Sequence, residues 1–503
     1  MVQESAKRRL DRSVPQCCSY DASAYGHLAV TGTVGNDAEG KISVAATELP
    51  TFLAPSLQTI PAKLEDAEFR MHNRHADMIV HPSERDVLFL RDSLIHCMRQ
   101  FFRDKRFIEV STPLLQASAG GAVARPFETV ATEFSDTKLN LRVAPELFLK
   151  RLIVGGLPRV FEIGPSFRNE GIDATHNPEF TTCEFYAEMA TLDELIAWTE
   201  RLFLELARTA KRARATLHSL PDTSDVFGFG FQQFDYIPEG TFQQLEFIPT
   251  IENAIRKRVP DWTFPDLAEE SSHEKLLWVF GKFNITKPAF PSMPRILDAL
   301  AEHFIEPHCT RPTFITYHPE CMSPLSKSFL REALPTSGIR HRVAARAELF
   351  IQGREYVNCY EEENSPLEQR RKFKQQLAQR AEDDGETHRV VDESYVGALE
   401  WGMPPTGGWG CGVDRIVMLF AGKNRIADVL PFGNLRNVVG LGGSAKKGKV
   451  QAGDEQTMLQ QAQKDLEEAQ SMLAATRSEG ERLKAELAEL RERYRGDPLE
   501  GAG

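Results

Sequence analysis

Two stretches of the chain, "PRVFEIGPS" (158–166) and "TTCEFYAEMA" (181–190), alternate apolar and polar residues as half-buried strands do. They are joined by "FRNEGIDATHNPEF" (167–180), a polar segment with an aromatic residue at its far end. Upstream, "RDVLFLRDSLIHCMRQFFRDK" (85–105) carries apolar residues at helical spacing, and "FIEVSTPLLQ" (107–116) then reads as a strand with Pro113 near its end. Nearer the N-terminus, "HLAVTGTVG" and "KISVAATEL" read as two short strands around the turn-rich "GNDAEG". From Leu459 to Tyr494, through Leu466, Leu473, Thr476, Gly480, Leu483, Leu487 and Leu490, spacings of three and four alternate without a break, the seam of a coiled coil. Gly480 weakens its centre by about 1 kcal/mol.

These patterns divide the chain into regions. Residues 1–26 have no assigned fold, 27–60 hold the short strands, and 61–85 are a charged connector. Residues 86–440 form a long mixed α/β (α+β) region, with a turn-rich insertion at about 205–310. A Gly/Lys linker follows at 441–455, then the coiled coil at 456–495 and a tail at 496–503.

Composition narrows the class. With 503 residues, 41% hydrophobic and 26% charged, the expectation is a multidomain globular protein. No apolar run is long enough for a membrane span. A net charge of −12 argues against coating nucleic acid by charge alone, but leaves room for a local basic surface. The eight cysteines contain no C-x-x-C pair, which fits neither a zinc site nor a disulfide framework. Lys7, Arg8, Arg9 and Arg12 near the N-terminus hint at organelle import.

Three segments carry candidate chemistry. In the loop 167–180, Arg168 suits a phosphate, Phe180 a flat ring, and Glu170 or His176 the edges of a ligand. "GGWGCGVDRIVMLF" (407–420) runs a glycine strand into a helix start, where Arg415 adds a fixed charge. "AELFIQGREYVNCYEEENSP" (347–366) places Glu348 and Glu355 on two strands of a hairpin turning at Gly353, oxygen ligands of the kind that suit Mg²⁺. The bland alternatives are a surface loop with ordinary ion pairs, a structural glycine strand and a solvated acidic face.

In order along the chain, the helix with its Pro-ended strand, "FRNEG…HNPEF" and "GWGCGVDR" resemble the three signature motifs of class II aminoacyl-tRNA synthetases. "GGAVARPF", "LRVAPELFLKRLIVGGLPRVFEIGPSFRNEG", "HNPEFTTCEFY" and "YHPECMSPLSK" are similar to the lysyl branch, and the connector looks like its fungal mitochondrial members. The resemblance implies an antiparallel catalytic sheet flanked by helices, a homodimer built on the first motif, and activation of L-lysine by ATP with transfer to tRNA(Lys). By this carry-over Arg168, Glu170, His176, Asn177, Phe180 and Arg415 hold ATP, and Glu348 and Glu355 hold Mg²⁺. Gly121, Glu146, Glu184, Tyr186, Asn358, Tyr360 and Glu362 bind lysine, with Glu362 at the ε-ammonium.

The resemblance also implies an N-terminal anticodon-binding barrel of the OB type, of which residues 27–60 match only the last strands. Either the chain is incomplete at its start or anticodon recognition has been lost. The family commonly has Arg-Phe before the "ELF" strand, where this chain has Arg346-Ala347. The mitochondrion is the expected compartment, the cytoplasm the alternative, and the coiled-coil partner is left open. Rival readings are a truncated relative that passes lysine to a protein acceptor, and a non-catalytic scaffold.

Overall fold

The computed structural model describes residues 27–48, 51–54, 60–117, 124–217, 219–220, 242–332, 339–384 and 391–442, with Arg482, Ala485, Glu486, Ala488 and Glu489. Gly121, most of the linker and the heptad seam lie outside these residues. The five isolated positions are helical and exposed.

Residues 66–439 form one compact unit around an eight-stranded sheet. Its order is Gln243–Glu246, Thr313–Thr316, Arg346–Ile351, Arg354–Glu361, Thr406–Gly412, Glu179–Glu188, Arg159–Phe167 and Ile108–Glu109. The six central strands pair antiparallel, and only the two edge strands pair parallel. Strand alternation separates two faces. Cys183, Phe185 and Ala187 of one strand, with Trp409 and Cys411 of the next, enter the core. Thr182, Glu184, Tyr186, Gly408 and Gly410 line a cleft instead.

Helices cover the apolar face. Helix Pro82–Asp104 starts with Pro at its first position and buries Val87, Leu90, Leu94, Met98 and Phe102 at helical spacing. Helix Leu192–Arg214 opens with a capping box between Thr191 and Glu194 and ends in Lys211, Arg212 and Arg214, which complement its dipole. It packs its length on the same core, so residues 205–214 belong to the sheet's own cover rather than to an insertion. The helices Phe247–Arg256, Ser272–Phe283 and Met293–Phe304 build a second core from Ile251, Ile255, Val279, Phe280, Leu297 and Leu300.

The charged connector contains two helices. Ala67–His72 and Arg74–Val80 are short helices, held because buried Arg74 ion-pairs with Asp77 and, at 2.8 Å, with Glu84. The strand expected over 107–116 is reduced to Ile108–Glu109 and Leu115–Gln116. Near the N-terminus the two expected strands are four. His27–Ala29 pairs with Thr51–Ala54, and Gly32–Asn36 with Ile42–Ala46, as two separate two-stranded ladders. Among the described residues no helix is long and apolar enough to cross a membrane.

Candidate active site

The expected strand–loop–strand at 159–188 is present, with Arg159–Phe167 and Glu179–Glu188 in register from Phe167↔Glu179 to Arg159↔Ala187. Its loop folds on Asp173, whose Oδ1 accepts from Thr175 N at 2.6 Å and His176 N at 2.8 Å. The Thr175 amide bond is the main reason the Asp173 carboxyl sits low, at about 2. Asp173 Oδ2 lies 2.8 Å from His176 Nδ1, and His176 Nε2 lies 3.0 Å from Arg415 Nη2. A neutral imidazole protonated on Nδ1 satisfies both contacts, accepting from Arg415 on Nε2. Arg415 also donates through Nη1 to the Glu355 carbonyl at 3.0 Å. The loop at His176 and the strand at Glu355 thus hold one guanidinium in place.

Arg168 lies over the Phe180 ring, 5.1 Å from its centre, and its buried Nε has no hydrogen-bond partner. An unpartnered guanidinium N–H at a cleft wall is a standing demand for an anion. Asn177 also lines the cleft, but its amide is engaged in the fold. Oδ1 accepts from Leu435 N at 2.9 Å, and Nδ2 donates to Glu179 O at 2.6 Å. Its placement therefore favours bracing the loop over gripping a ligand directly.

The third segment behaves as the glycine pattern implies. Strand Thr406–Gly412 runs into helix Val413–Ala421, with Arg415 in its first turn. Gly410 leaves Glu184 room: a Cβ there would sit 3.4 Å from Glu184 Cγ. At Gly408 a Cβ would overlap Glu362 Oε1 outright and lie 2.7 Å from Tyr186 Cε1. Asp414 fastens the motifs together. It accepts from Arg91 Nη1 at 2.6 Å and from Thr181 N at 2.7 Å, while Arg91 Nη2 donates to Thr181 Oγ1 at 2.8 Å.

These elements enclose a cleft of about 1300 Å³. Arg168, Glu170, His176, Phe180, Glu355 and Arg415 line one part of it; Glu146, Glu184, Tyr186, Asn358 and Tyr360 line the other. Burial first, and Glu146 second, lift the Glu184 carboxyl to about 8. Tyr186 Oη lies 3.1 Å from Glu184 Oε2, and Tyr360 Oη donates to Glu146 Oε1 at 2.8 Å.

Two expected residues stand differently. Glu362 is buried behind the cleft wall and ion-pairs with Lys150, rather than lining the cleft itself. Glu348 does not open onto the cleft either. It pairs with Arg346 and lies 3.0 Å from His318 Nε2. Burial opposes its charge, yet Arg346 and His318 hold the carboxyl down at about 2. Burial first, then Glu348, lift Glu355 to about 7. The hairpin turn at Gly353 is present, with a positive φ of 67° that glycine adopts without strain.

Sequence reasoning missed Lys150, Arg346 and His318. Lys150 was visible as the i+4 partner of Glu146 in "PELFLK". Arg346 shares the cleft side of its strand with Glu348 and also donates to Asn358 Oδ1 at 2.9 Å. Ala347, where the family commonly has Phe, points the other way and is buried in the core.

An antiparallel sheet with an arginine loop on one strand pair and a glycine strand leading to a second arginine defines a class II aminoacyl-tRNA synthetase. The family model for class II tRNA synthetases of the D, K and N type matches residues 66–436, and the chain belongs to that family. It is 39% identical over 412 residues to the mitochondrial lysine–tRNA ligase of Schizosaccharomyces pombe, covering 82% of this chain and 73% of that one. It is 37% identical over 414 residues to the probable cytoplasmic lysine–tRNA ligase of Encephalitozoon cuniculi, covering 81% and 77%. Against the lysine–tRNA ligase of Halalkalibacterium halodurans the identity is 35% over 413 residues, covering 82% and 76%.

Proposed function

We propose that the protein activates L-lysine with ATP and transfers the lysyl group to tRNA(Lys). The observation that carries this reading is one cleft with a cationic part, Arg168 and Arg415, and a carboxylate part, Glu146 and Glu184. ATP phosphates suit the first, and the two ammonium groups of lysine suit the second. The likeness to three lysine–tRNA ligases supports lysine over aspartate or asparagine.

In this reading Phe180 carries the adenine ring, with Arg168 on the α-phosphate and Arg415 on the γ-phosphate. Glu170 and His176 complete the ATP site, and Asn177 braces its loop. Glu146 and Glu184 receive the α-ammonium, while Tyr186, Asn358, Tyr360 and Glu362 form the side-chain end. The lysine carboxylate attacks the α-phosphorus, the bond to the bridging oxygen breaks, and pyrophosphate leaves with its electron pair. The two arginines stabilise the charge that builds on the phosphate oxygens. A hydroxyl of the tRNA's terminal ribose then attacks the adenylate's acyl carbon, the acyl–oxygen bond to the phosphate breaks, and AMP leaves with its electron pair as the hydroxyl gives up its proton.

Mg²⁺ fits the donor chemistry of Glu348 and Glu355. Among the described residues no group of three or more His, Cys, Asp or Glu side chains forms a metal cage. A hard cation that completes its shell with phosphate oxygens and water needs only one or two carboxylates. It would supply neutralisation of the phosphates.

A two-fold dimer is part of the proposal. It is supported by the exposed apolar side chains of Phe89, Ile108, Leu114 and Leu115 on and beside helix Pro82–Asp104. The mitochondrion is the proposed compartment, supported by the likeness to the S. pombe protein.

Lysine-dependent ATP–pyrophosphate exchange tests activation: exchange with aspartate or asparagine but not lysine would refute it. A second reading keeps the activation but makes a protein lysine the acceptor. Labelled lysine appearing in protein and not in tRNA(Lys) would select it.

A further inference from the structure

Lys150 is a buried cation that the reaction, as set out above, does not use. It projects from helix Glu146–Val154, and its side chain is fully buried. Its Nζ lies 2.5 Å from Glu146 Oε1 and ion-pairs with Glu362 Oε2. The rings of Tyr186, Tyr360 and Tyr395 surround it, each centred 5.8 Å away. Glu362 Oε1 has no hydrogen-bond partner and lies against Gly408, a residue of the cleft floor. One oxygen of Glu362 is thus committed to a resident ammonium, and the other is buried without a partner beneath Gly408.

We propose that Lys150 is a positioning and specificity-determining residue: an internal ammonium whose ion pairs with Glu146 and Glu362 fix both carboxyl groups, so that the unpartnered oxygen of Glu362 meets the substrate's ε-ammonium. This rests on the reading that lysine is the substrate.

The electrostatics support it. Without Lys150, Glu146, Glu184 and Glu362 would share a buried region with no resident ammonium between them, and carboxylates so crowded take up protons. Burial already pushes the Glu362 carboxyl up, and Lys150 is the group that pulls it back. Burial also opposes the charge on Lys150, but Glu146 and then Glu362 more than compensate and hold it as ammonium. The groups facing Glu362 are Lys150 and Glu146 from the helix, Glu184 and Tyr186 from strand Glu179–Glu188, Tyr360 from its own strand, and Tyr395 from helix Glu393–Leu399. Only Lys150 among them is a cation. A protonated Glu362 would offer a hydroxyl to an ammonium and lose the charge match. When all three carboxyl groups are ionised around the one resident ammonium, two negative charges are left over, which a diammonium amino acid meets and a neutral side chain does not.

The test is the Michaelis constant for lysine in pyrophosphate exchange, for wild type and Lys150→Met, between pH 6.5 and 9. The expected ratio of variant to wild type is at least about tenfold at pH 6.5 and shrinks as pH rises and Glu362 ionises unaided. The Michaelis constant for ATP should stay within about twofold, since uniform loss of folding would move both. Lys150→Arg keeps the charge, so its ratio should be independent of pH. A pH-independent ratio for Lys150→Met, or none above unity, overturns the proposal. If Lys150→Met does not fold, a Lys150→Arg ratio that falls steeply with pH overturns it instead. Absence of lysine-dependent exchange in the wild type would undo the substrate reading and this proposal with it, whereas exchange in the wild type with a pH-independent Lys150→Met ratio overturns this proposal alone.

Discussion

Replacing Gly408 by Ala asks how closely the cleft floor is fitted to the group beneath it. A Cβ there overlaps Glu362 Oε1 and lies 2.7 Å from Tyr186 Cε1, so Glu362, Tyr186 or both must retreat. Glu362 is pinned by Lys150 and Tyr186 is buried, so neither has an open direction. A displacement of about 1 Å at a positioned group costs roughly 10²-fold in rate. The expected loss is therefore about 10²-fold in kcat/KM for lysine, with the Michaelis constant for ATP nearly unchanged because Arg168 and Arg415 do not move. Two neighbours serve as controls. Gly410→Ala meets Glu184 Cγ at an ordinary 3.4 Å and should lose much less. Gly407→Ala meets Ala190 O at 2.8 Å on the core side, so it should lower the melting temperature without singling out lysine. Pyrophosphate exchange with lysine and ATP varied separately, beside a thermal melt, distinguishes the three. Near-normal lysine kinetics in Gly408→Ala would refute the placement of the lysine side chain over this floor.

Arg168→Ala or Arg415→Ala should each reduce exchange by about 10²-fold or more, as expected when a charge partner of the transition state is lost; near-normal exchange in either would sink the nucleotide site. The Glu184 carboxyl sits at about 8 in the empty site, so at pH 7 it is mostly protonated and must ionise to receive an ammonium. Lysine binding should therefore release a proton at pH 7 and tighten as pH rises toward 8, and calorimetry in buffers of differing ionisation enthalpy counts that proton. Phe89→Asp should convert the dimer to monomers in light scattering, whereas removing residues 450–503 should leave it intact; the opposite outcome would transfer the dimer contact to the C-terminal segment.

The sheet strands around residue 170, the long helix at 85–105 and the glycine strand were legible because each follows a strict period of two or 3.6. The helices inside the charged connector carry no periodic signal because they are held by the buried Arg74, Asp77 and Glu84, an ion-pair network without an apolar stripe. The span 107–116 looked like one strand from its apolar content, but pairing partners exist for only two short pieces. In the cleft, local motifs announced the arginines. The role of Lys150 escaped because it depends on Glu362, more than two hundred residues away, and that of Arg346 because it also bonds Asn358 on the neighbouring strand. Asn177 shows the converse: a motif position whose amide serves the fold.

The Asp414 clamp makes one mechanical body of parts that have different tasks. Through Arg91 it holds the helix that displays Phe89, through Thr181 the strand that follows the Arg168 loop, and through its own helix Arg415. Phe89 and Arg415 are both carried on this body. In the proposed dimer, association of subunits and binding of nucleotide would then be coupled, and the coupling would be reciprocal. Whatever free energy of association ATP adds by ordering this body returns as tighter ATP binding in the assembled pair. Cooperativity between two distant active sites would need no dedicated relay, only the stiffness of three hydrogen bonds to one carboxylate and its neighbour.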